Sequence, residues 1–430
     1  MAVCSLIVRA ISGPLCDRFG PRLVYIGILL SGMIPTAMAG LVHSATGVLV
    51  IRFFVGILGA SFVPCLVWSM QFFDKNVIGT ANGLMAGIGN AGGGVTYFVM
   101  PAIFDSLVHY RGLTPHKAWR VSFIVPAILT TAMALGMLFL CEDTPTGKWA
   151  DRGKMVPGSP DSASPVNIDG VVVDLPGDGK FRLASPTAQD SKSKMDEKYD
   201  SSSSIEAPEP GQVEVARAEI VKSPNFKECM RVLFSFQCLL LALPYACSFG
   251  SELAINSILG VYYMNNFKIG QTVSGKWAAM FGLLNVFFRP AGGMISDIIY
   301  RATNHSVTAK KFWLIFVIFG QGVFCLAIGL LNSHKEATMY GLFAGLAFFT
   351  EASNGANFAV VPHVFPQSNG VLSGYVGASG NLGGVIFAIL FRLNGSNYSK
   401  VIWIIGVISV IVSVGVSWIR VIPKGQIGGK

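Results

Sequence analysis

The sequence predicts an all-α polytopic membrane protein built from two pseudo-symmetric helical bundles. Three observations carry that expectation. The 430 residues are 52% hydrophobic and only 13% charged, against roughly 25% charged residues in average soluble chains, and the mean hydropathy is +0.56. The apolar residues fall into repeated runs of about 20, long enough to cross a ~30 Å hydrocarbon core, without the short alternating segments of a barrel. Two motifs also recur in the same order along the chain, the mark of an internal structural repeat.

The first apolar run covers residues 2 to about 15 and ends in the polar turn Asp17-Arg18-Phe19-Gly20-Pro21-Arg22. Further runs cover roughly 22–42, 47–72, 77–103 and 119–141. From Glu142 to about Glu228 the chain turns rich in Ser, Pro, Asp, Glu and Lys. Such a segment cannot bury enough apolar surface to offset its ordering entropy, so disorder is expected there. Apolar runs resume at about 231–264, 272–299, 311–332, 337–364, 369–392 and 399–422. The expected division is therefore an N-terminal bundle (1–141), a central loop (142–230), a C-terminal bundle (231–423) and a tail (424–430). Five spans and then six give eleven, which reads as a twelve-helix pattern lacking its first helix.

Lys and Arg gather around Arg18 and Arg22, Lys75, the central loop, Arg301 with Lys310 and Lys311, and Lys424 to Lys430. Alternating spans put all of these on one side, which is then cytoplasmic. The same asymmetry accounts for the formal net charge of +9 through the bilayer, so no nucleic-acid partner is expected. Asn394-Gly-Ser and Asn397-Tyr-Ser fall on the outer side as candidate N-glycosylation sites. The eight Cys are scattered with no Cys-x-x-Cys pair, so neither a disulfide framework nor a metal site is expected. No cleavable signal peptide is evident.

The first repeated motif pairs Arg9-Ala-Ile-Ser-Gly13-Pro-Leu-Cys-Asp17 with Arg289-Pro-Ala-Gly-Gly293-Met-Ile-Ser-Asp297. Arg stands eight residues before Asp in both, or ~12 Å deeper at 1.5 Å per residue. That is close to the bilayer midplane, where an Arg costs at least ~2.5 kcal/mol. A structural ion pair with a buried carboxylate is one explanation. The other is a site for a small oxyanion: two planar, permanently charged forks facing each other could both donate to it. The second motif pairs Gly89-Asn90-Ala91-Gly92-Gly93-Gly94 with Gly380-Asn381-Leu382-Gly383-Gly384. Asn90 and Asn381 can donate to a solute without adding charge, or can bond helix to helix. Gly89, Gly92, Gly93, Gly380, Gly383 and Gly384 have the small-residue spacing of close helix packing.

The loop Gly13-Pro-Leu-Cys-Asp17-Arg18-Phe-Gly-Pro-Arg22 resembles the signature loop of the major facilitator superfamily, in which Asp17 and Arg18 would latch the cytoplasmic side. The stretches Gly87-Ile-Gly-Asn-Ala-Gly-Gly-Gly-Val-Thr-Tyr97 and Gly377-Ala-Ser-Gly-Asn-Leu-Gly-Gly-Val-Ile-Phe387, with the two arginine helices, resemble the nitrate/nitrite porters of that superfamily, above all the fungal nitrate transporters. The resemblance covers the chain outside its central loop. It implies that Arg9 and Arg289 clamp nitrate with Asn90 and Asn381 close by, that Tyr245 and Phe249 line the pocket, and that Phe62 and Phe358 are further aromatic gates. It also implies proton symport in the plasma membrane, with no cofactor.

Moving an anion into a negative interior costs ~2.3 kcal/mol per 100 mV for each charge, so uphill import needs co-transported protons, two per nitrate if the potential is to drive it. Glu252 and Glu351 are embedded acids that could carry them. Ser159, Ser164, Ser185 and Ser223, each followed by Pro, and the run Ser201 to Ser204 are candidate kinase targets in the central loop. The alternatives are a carrier for another small anion, a nitrate/nitrite exchanger, or a membrane nitrate sensor. No nucleophile elbow or metal-binding motif suggests an enzyme.

Overall fold

In the computed structural model, residues 1–145, 147–151 and 225–422 are described. These residues form α1 (Ala2–Phe19), α2 (Pro21–Met38), α3 (Ala45–Val55), α4 (Phe62–Phe72), α5 (Ile78–His109), α6 (Pro115–Ser122) and α7 (Ile124–Leu140) in the first half. The second half contains α8 (Phe226–Leu233), α9 (Phe236–Phe267), α10 (Gln271–Leu283), α11 (Asn285–Ala302), α12 (Val307–Leu331), α13 (Glu336–Val364), α14 (Asn369–Leu393) and α15 (Tyr398–Ser417). A 3-10 stretch, Gly56–Ser61, joins α3 to α4. The pairs α6–α7 and α10–α11 likewise run on as single rods.

Among the described residues, nine rods are long and apolar enough to cross a membrane. The two helices that fall short, α1 and α13, carry the polar residues of interest. On α1, Arg9, Ser12 and Asp17 are buried. Along α13 every residue from Thr350 to Val364 is buried. A helix enclosed by other helices need not be apolar all round, because its polar groups find protein partners instead of lipid.

The halves meet in two equivalent crossings: α1 packs on α14, and α11 packs on α5. At the first, a Cβ on Gly374 would stand 2.8 Å from the Arg9 carbonyl; at the second, a Cβ on Gly83 would stand 2.8 Å from the Arg289 carbonyl. Only glycine lets these backbones approach so closely. Gly83 and Gly374 are separated by 291 positions, as are Asn90 and Asn381, so the sequence repeat and the spatial repeat share one register.

Three expectations need correction. The second half's first span begins at Phe236 rather than near 231, because Ser235 accepts a hydrogen bond from the Cys238 N–H (3.0 Å) and caps a new helix there. The short α8 before it has its own capping box, with the Asn225 N–H donating to Glu228 Oε2 at 3.1 Å. The central loop does not leave the bundle at Glu142. Asp143 pairs with Arg22 at 3.0 Å, and the Trp68 indole N–H donates to the carbonyls of Glu142 and Asp143. Among the described residues Gly89, Gly92 and Gly93 make no close packing either: a Cβ on any of them meets none of their atoms within 4 Å. In the second half the equivalent surface is covered by α9. A Cβ on Gly380 would lie 2.6 Å from the Tyr245 ring, and those on Gly383 and Gly384 would meet Ala246 and Leu253. In the first half no described helix lies against that surface of α5. Ser159, Ser164, Ser185, Ser223, Ser201 to Ser204 and the tail from Lys424 lie outside the described residues.

Candidate functional site

The crossings bring Arg9 of α1 and Arg289 of α11 to one place, both buried, at 5% and 0% exposure. The Arg9 guanidinium carbon lies 4.9 Å from the centroid of Phe62 and 5.2 Å from that of Phe249. The Arg289 carbon lies 5.9 Å and 5.7 Å from the same two rings. Two guanidiniums from opposite halves thus share one pair of aromatic faces, whose negative quadrupoles offset part of the repulsion between like charges.

Around them the predicted aromatics form a single cluster. Tyr245 and Phe249, one turn apart on α9, stack at 5.3 Å. Phe62 lies 6.4 Å from Tyr245 and 6.5 Å from Phe249. Phe358 meets Phe62 and Tyr245 edge-on at 5.2 Å and 5.0 Å.

The two arginines are held differently. Arg9 is anchored by backbone: Nε donates to the Gly59 carbonyl (2.8 Å) and Nη1 to the Gly377 carbonyl of the other half (3.1 Å). Arg289 is anchored by side chains. Nη1 donates to Asn285 Oδ1 at 3.1 Å and Nη2 to the Tyr245 hydroxyl at 3.4 Å. Glu252 and Glu351 approach Nη1 only to 4.0 Å and 3.9 Å, beyond hydrogen-bonding distance. Arg289 Nε is buried with no hydrogen-bond partner among the described residues, and so is Asn381 Nδ2. Buried donors without acceptors are costly. A hydrogen-bond acceptor bound here would satisfy them.

Glu252 and Glu351 belong to one network. Asn354 Nδ2 donates to Glu252 Oε2 (2.9 Å) and to Glu351 Oε2 (3.3 Å). Its own carbonyl accepts from Ser248 at 2.7 Å, which fixes the amide's orientation. Asn285 Nδ2 donates to Glu252 Oε1 at 2.9 Å. Sequence reasoning missed Asn285, Asn354 and Ser248. Helical spacing could have found them: Asn285 precedes Arg289 by one turn, Asn354 follows Glu351 by one, and Ser248 precedes Glu252 by one.

Asn90 does not mirror Asn381. Its amide donates to the Ala86 carbonyl of its own helix at 2.9 Å. With no described helix against that face of α5, the nearest acceptor is local. Asn394 lies at the end of α14 with its amide on the Leu390 carbonyl (2.9 Å), and Asn397 caps α15 by accepting from the Lys400 N–H (3.3 Å).

A second paired feature lies eight residues from the arginines. Asp17 accepts from the backbone N–H groups of Gly370 and Val371, both at 2.9 Å, at the N-terminus of α14. Asp297 accepts from those of Gly79 (3.2 Å) and Thr80 (2.7 Å) at the N-terminus of α5. Each carboxylate therefore neutralises the positive end of a helix in the opposite half. Lys310 pairs with Asp297 at 3.1 Å and reaches His363 at 3.2 Å. Arg18, named with Asp17 for the expected latch, is exposed, its guanidinium 5.3 Å from the Phe19 ring.

Comparison with known proteins gives the same architecture. The sequence profile of the Major Facilitator Superfamily matches residues 1–298 and 241–430. Elsinochrome transporter 1 of Elsinoe fawcettii is 37% identical, over 96% of this chain and 81% of its own length. High affinity nitrate transporter 2.5 of Arabidopsis thaliana is 29% identical, over 94% of this chain and 68% of its own. Among solved structures, the E. coli fucose:proton symporter FucP aligns with a TM-score of 0.61 over 96% of this chain and 87% of its own, at 12% identity, a likeness of fold alone. That profile covers both helical halves, and the chain belongs to the Major Facilitator Superfamily.

Proposed function

We propose that this chain is a secondary active importer of nitrate, and of nitrite, driven by proton symport and working by alternating access of its two halves. The observation that carries the reading is the pair Arg9 and Arg289, buried over the same two phenyl rings with an unpartnered Nε–H on Arg289. Nitrate is planar, singly charged and small, and its oxygens accept charge-assisted hydrogen bonds from guanidinium groups. The similarity to a protein named as a nitrate transporter supports the same cargo.

In this reading Arg9 and Arg289 grip the anion, Asn381 donates a further hydrogen bond, and Tyr245, Phe249, Phe62 and Phe358 exclude water. Glu252 and Glu351 carry protons. The protein sits in the plasma membrane with the Asp17 and Asp297 end in the cytoplasm, so those two aspartates close the inner gate. Asn394 and Asn397 then face outward as glycan acceptors, and kinases reach the central loop from inside.

Transport of elsinochrome is the second reading, favoured by the 37% identity to a protein named Elsinochrome transporter 1. The test is uptake of isotope-labelled nitrate by the full chain in a host without nitrate transport, with competitors added. The expected result is uptake that nitrite suppresses and elsinochrome does not. Binding without uptake would mark a sensor, nitrate movement only against internal nitrite an exchanger, and elsinochrome movement the second reading.

A further inference from the structure

The end of the bundle that carries Asp17 and Asp297 also holds a buried ring that the transport reading leaves unused. Lys310, in the first turn of α12, is fully buried, and His363, in the last turn of α13, is 6% exposed. Four polar atoms surround the Lys310 ammonium: Asp297 Oδ1 at 3.1 Å, His363 Nε2 at 3.2 Å, and the carbonyls of Lys75 (3.4 Å) and Ala359 (3.5 Å). The ammonium also lies 4.3 Å from the centroid of Tyr300, a ring 5.0 Å from that of His363. An ammonium donates and accepts nothing. Its contact with His363 is therefore a hydrogen bond only while Nε2 is bare and the imidazole neutral, with its proton on Nδ1. A protonated His363 would aim an N–H at the ammonium and bury a second positive charge beside it. The other charged and titratable groups facing the pair are Asp297 and Tyr300 from α11 and Lys75 and Asp74 from the loop between α4 and α5. Asp297 already accepts from Lys310, from the Gly79 and Thr80 N–H groups and from the Thr80 hydroxyl. That fills the roughly four acceptor sites of a carboxylate, so none is left to offset a charge on His363.

We infer that His363 is a pH sensor in the inner joint: the halves close there only while it is neutral, so a proton taken up from the cytoplasm holds the joint open and slows import. The inference rests on the proposed alternating access, with this end facing inward. The cluster spans the joint, since Lys75, Gly79 and Thr80 belong to the first half and Asp297, Lys310 and His363 to the second. When the halves part, the Lys75 carbonyl leaves Lys310, water reaches the ring, and Nε2 can take a proton from it. The closed joint has no place for that proton, so protonation shifts the population towards the open form. The proton returns to the cytoplasm before the joint closes and does not cross the membrane at this ring. A carrier that brings protons in with its anion is thereby slowed as they accumulate. The sensor is also a departure from the repeat. His363 stands five residues beyond Phe358, and the residue five beyond Phe62 is Val67, which is buried and apolar.

The test is exchange of labelled nitrate across liposomes that hold nitrate on both sides and the full chain in one orientation, with the pH of each side set separately. Wild-type exchange should fall as the pH on the cytoplasmic side drops through about 6.5, the ordinary value of a histidine, and should be roughly tenfold slower one unit below it. Acid on the outer side alone should not produce that loss. His363→Gln keeps an acceptor for Lys310 and cannot titrate. Its exchange should match wild type at neutral pH and lose the response to acid on the cytoplasmic side. An equal response in wild type and His363→Gln overturns the inference. So does wild-type exchange that ignores the cytoplasmic-side pH, a result that depends on no variant folding. Absence of wild-type exchange at every pH removes the transport reading, and the inference with it.

Discussion

Asp17 and Asp297, 280 positions apart, perform the same task in opposite directions: each caps the first turn of a helix in the other half. The two halves are therefore joined at this end by carboxylate-to-backbone bonds, which a rigid-body movement must break together. Asp297 has a further duty, since Lys310 is fully buried against it. Asp297→Asn should destabilise the protein by about 3–5 kcal/mol, because an unpaired ammonium stays behind. Lys310→Met in the same chain should recover much of that loss. Thermal unfolding of both single variants and the double variant checks this; equal damage in the Asp297 single and the double variant would contradict it.

The crossings predict a steric result. Gly83→Ala and Gly374→Ala each place a methyl group 2.8 Å from an arginine carbonyl, too near for any contact. The helices must separate, at about 1–3 kcal/mol for each substitution, and the arginines must move with them. Lower unfolding temperature together with weaker nitrate binding is expected in both variants. Normal binding in a stable Gly374→Ala protein would place the arginine pair outside mechanical contact with the crossing.

Phe62 faces both guanidiniums, at 4.9 Å and 5.9 Å. Phe62→Ala removes two cation–π contacts at a desolvated site, together worth about 1–2 kcal/mol or more. Nitrate affinity should fall roughly tenfold or further, and Phe62→Leu should fall nearly as far, because the lost property is the quadrupole rather than the bulk. Wild-type affinity in Phe62→Leu would assign the ring a packing role alone.

Much of this was legible in the chain. Hydropathy placed most spans because a lipid-facing helix must be apolar, and α1 and α13 show where that signal fades: they are helices whose neighbours are other helices. The eight-residue spacing of Arg9 to Asp17 and of Arg289 to Asp297 placed one residue of each pair at depth and the other at the end of the bundle. The equivalence of the glycine clusters was legible only as sequence. Gly380 and Gly384 lie under α9, whereas Gly89 and Gly93 meet nothing, and burial depends on neighbours a local motif does not name. The local motif around Asp17 names no residue of the other half, yet Asp17 accepts from the Gly370 and Val371 N–H groups, contacts that exist only once the halves have docked.

The central claim is that Arg9 and Arg289 bind one oxyanion through the geometry of their guanidiniums. Its most direct test is labelled-nitrate binding to the purified full chain carrying Arg9→Lys or Arg289→Lys. Lysine keeps the charge and loses the planar fork, so each variant should bind at least about tenfold more weakly, a loss of roughly 1.4 kcal/mol. Wild-type affinity in both variants would contradict the account.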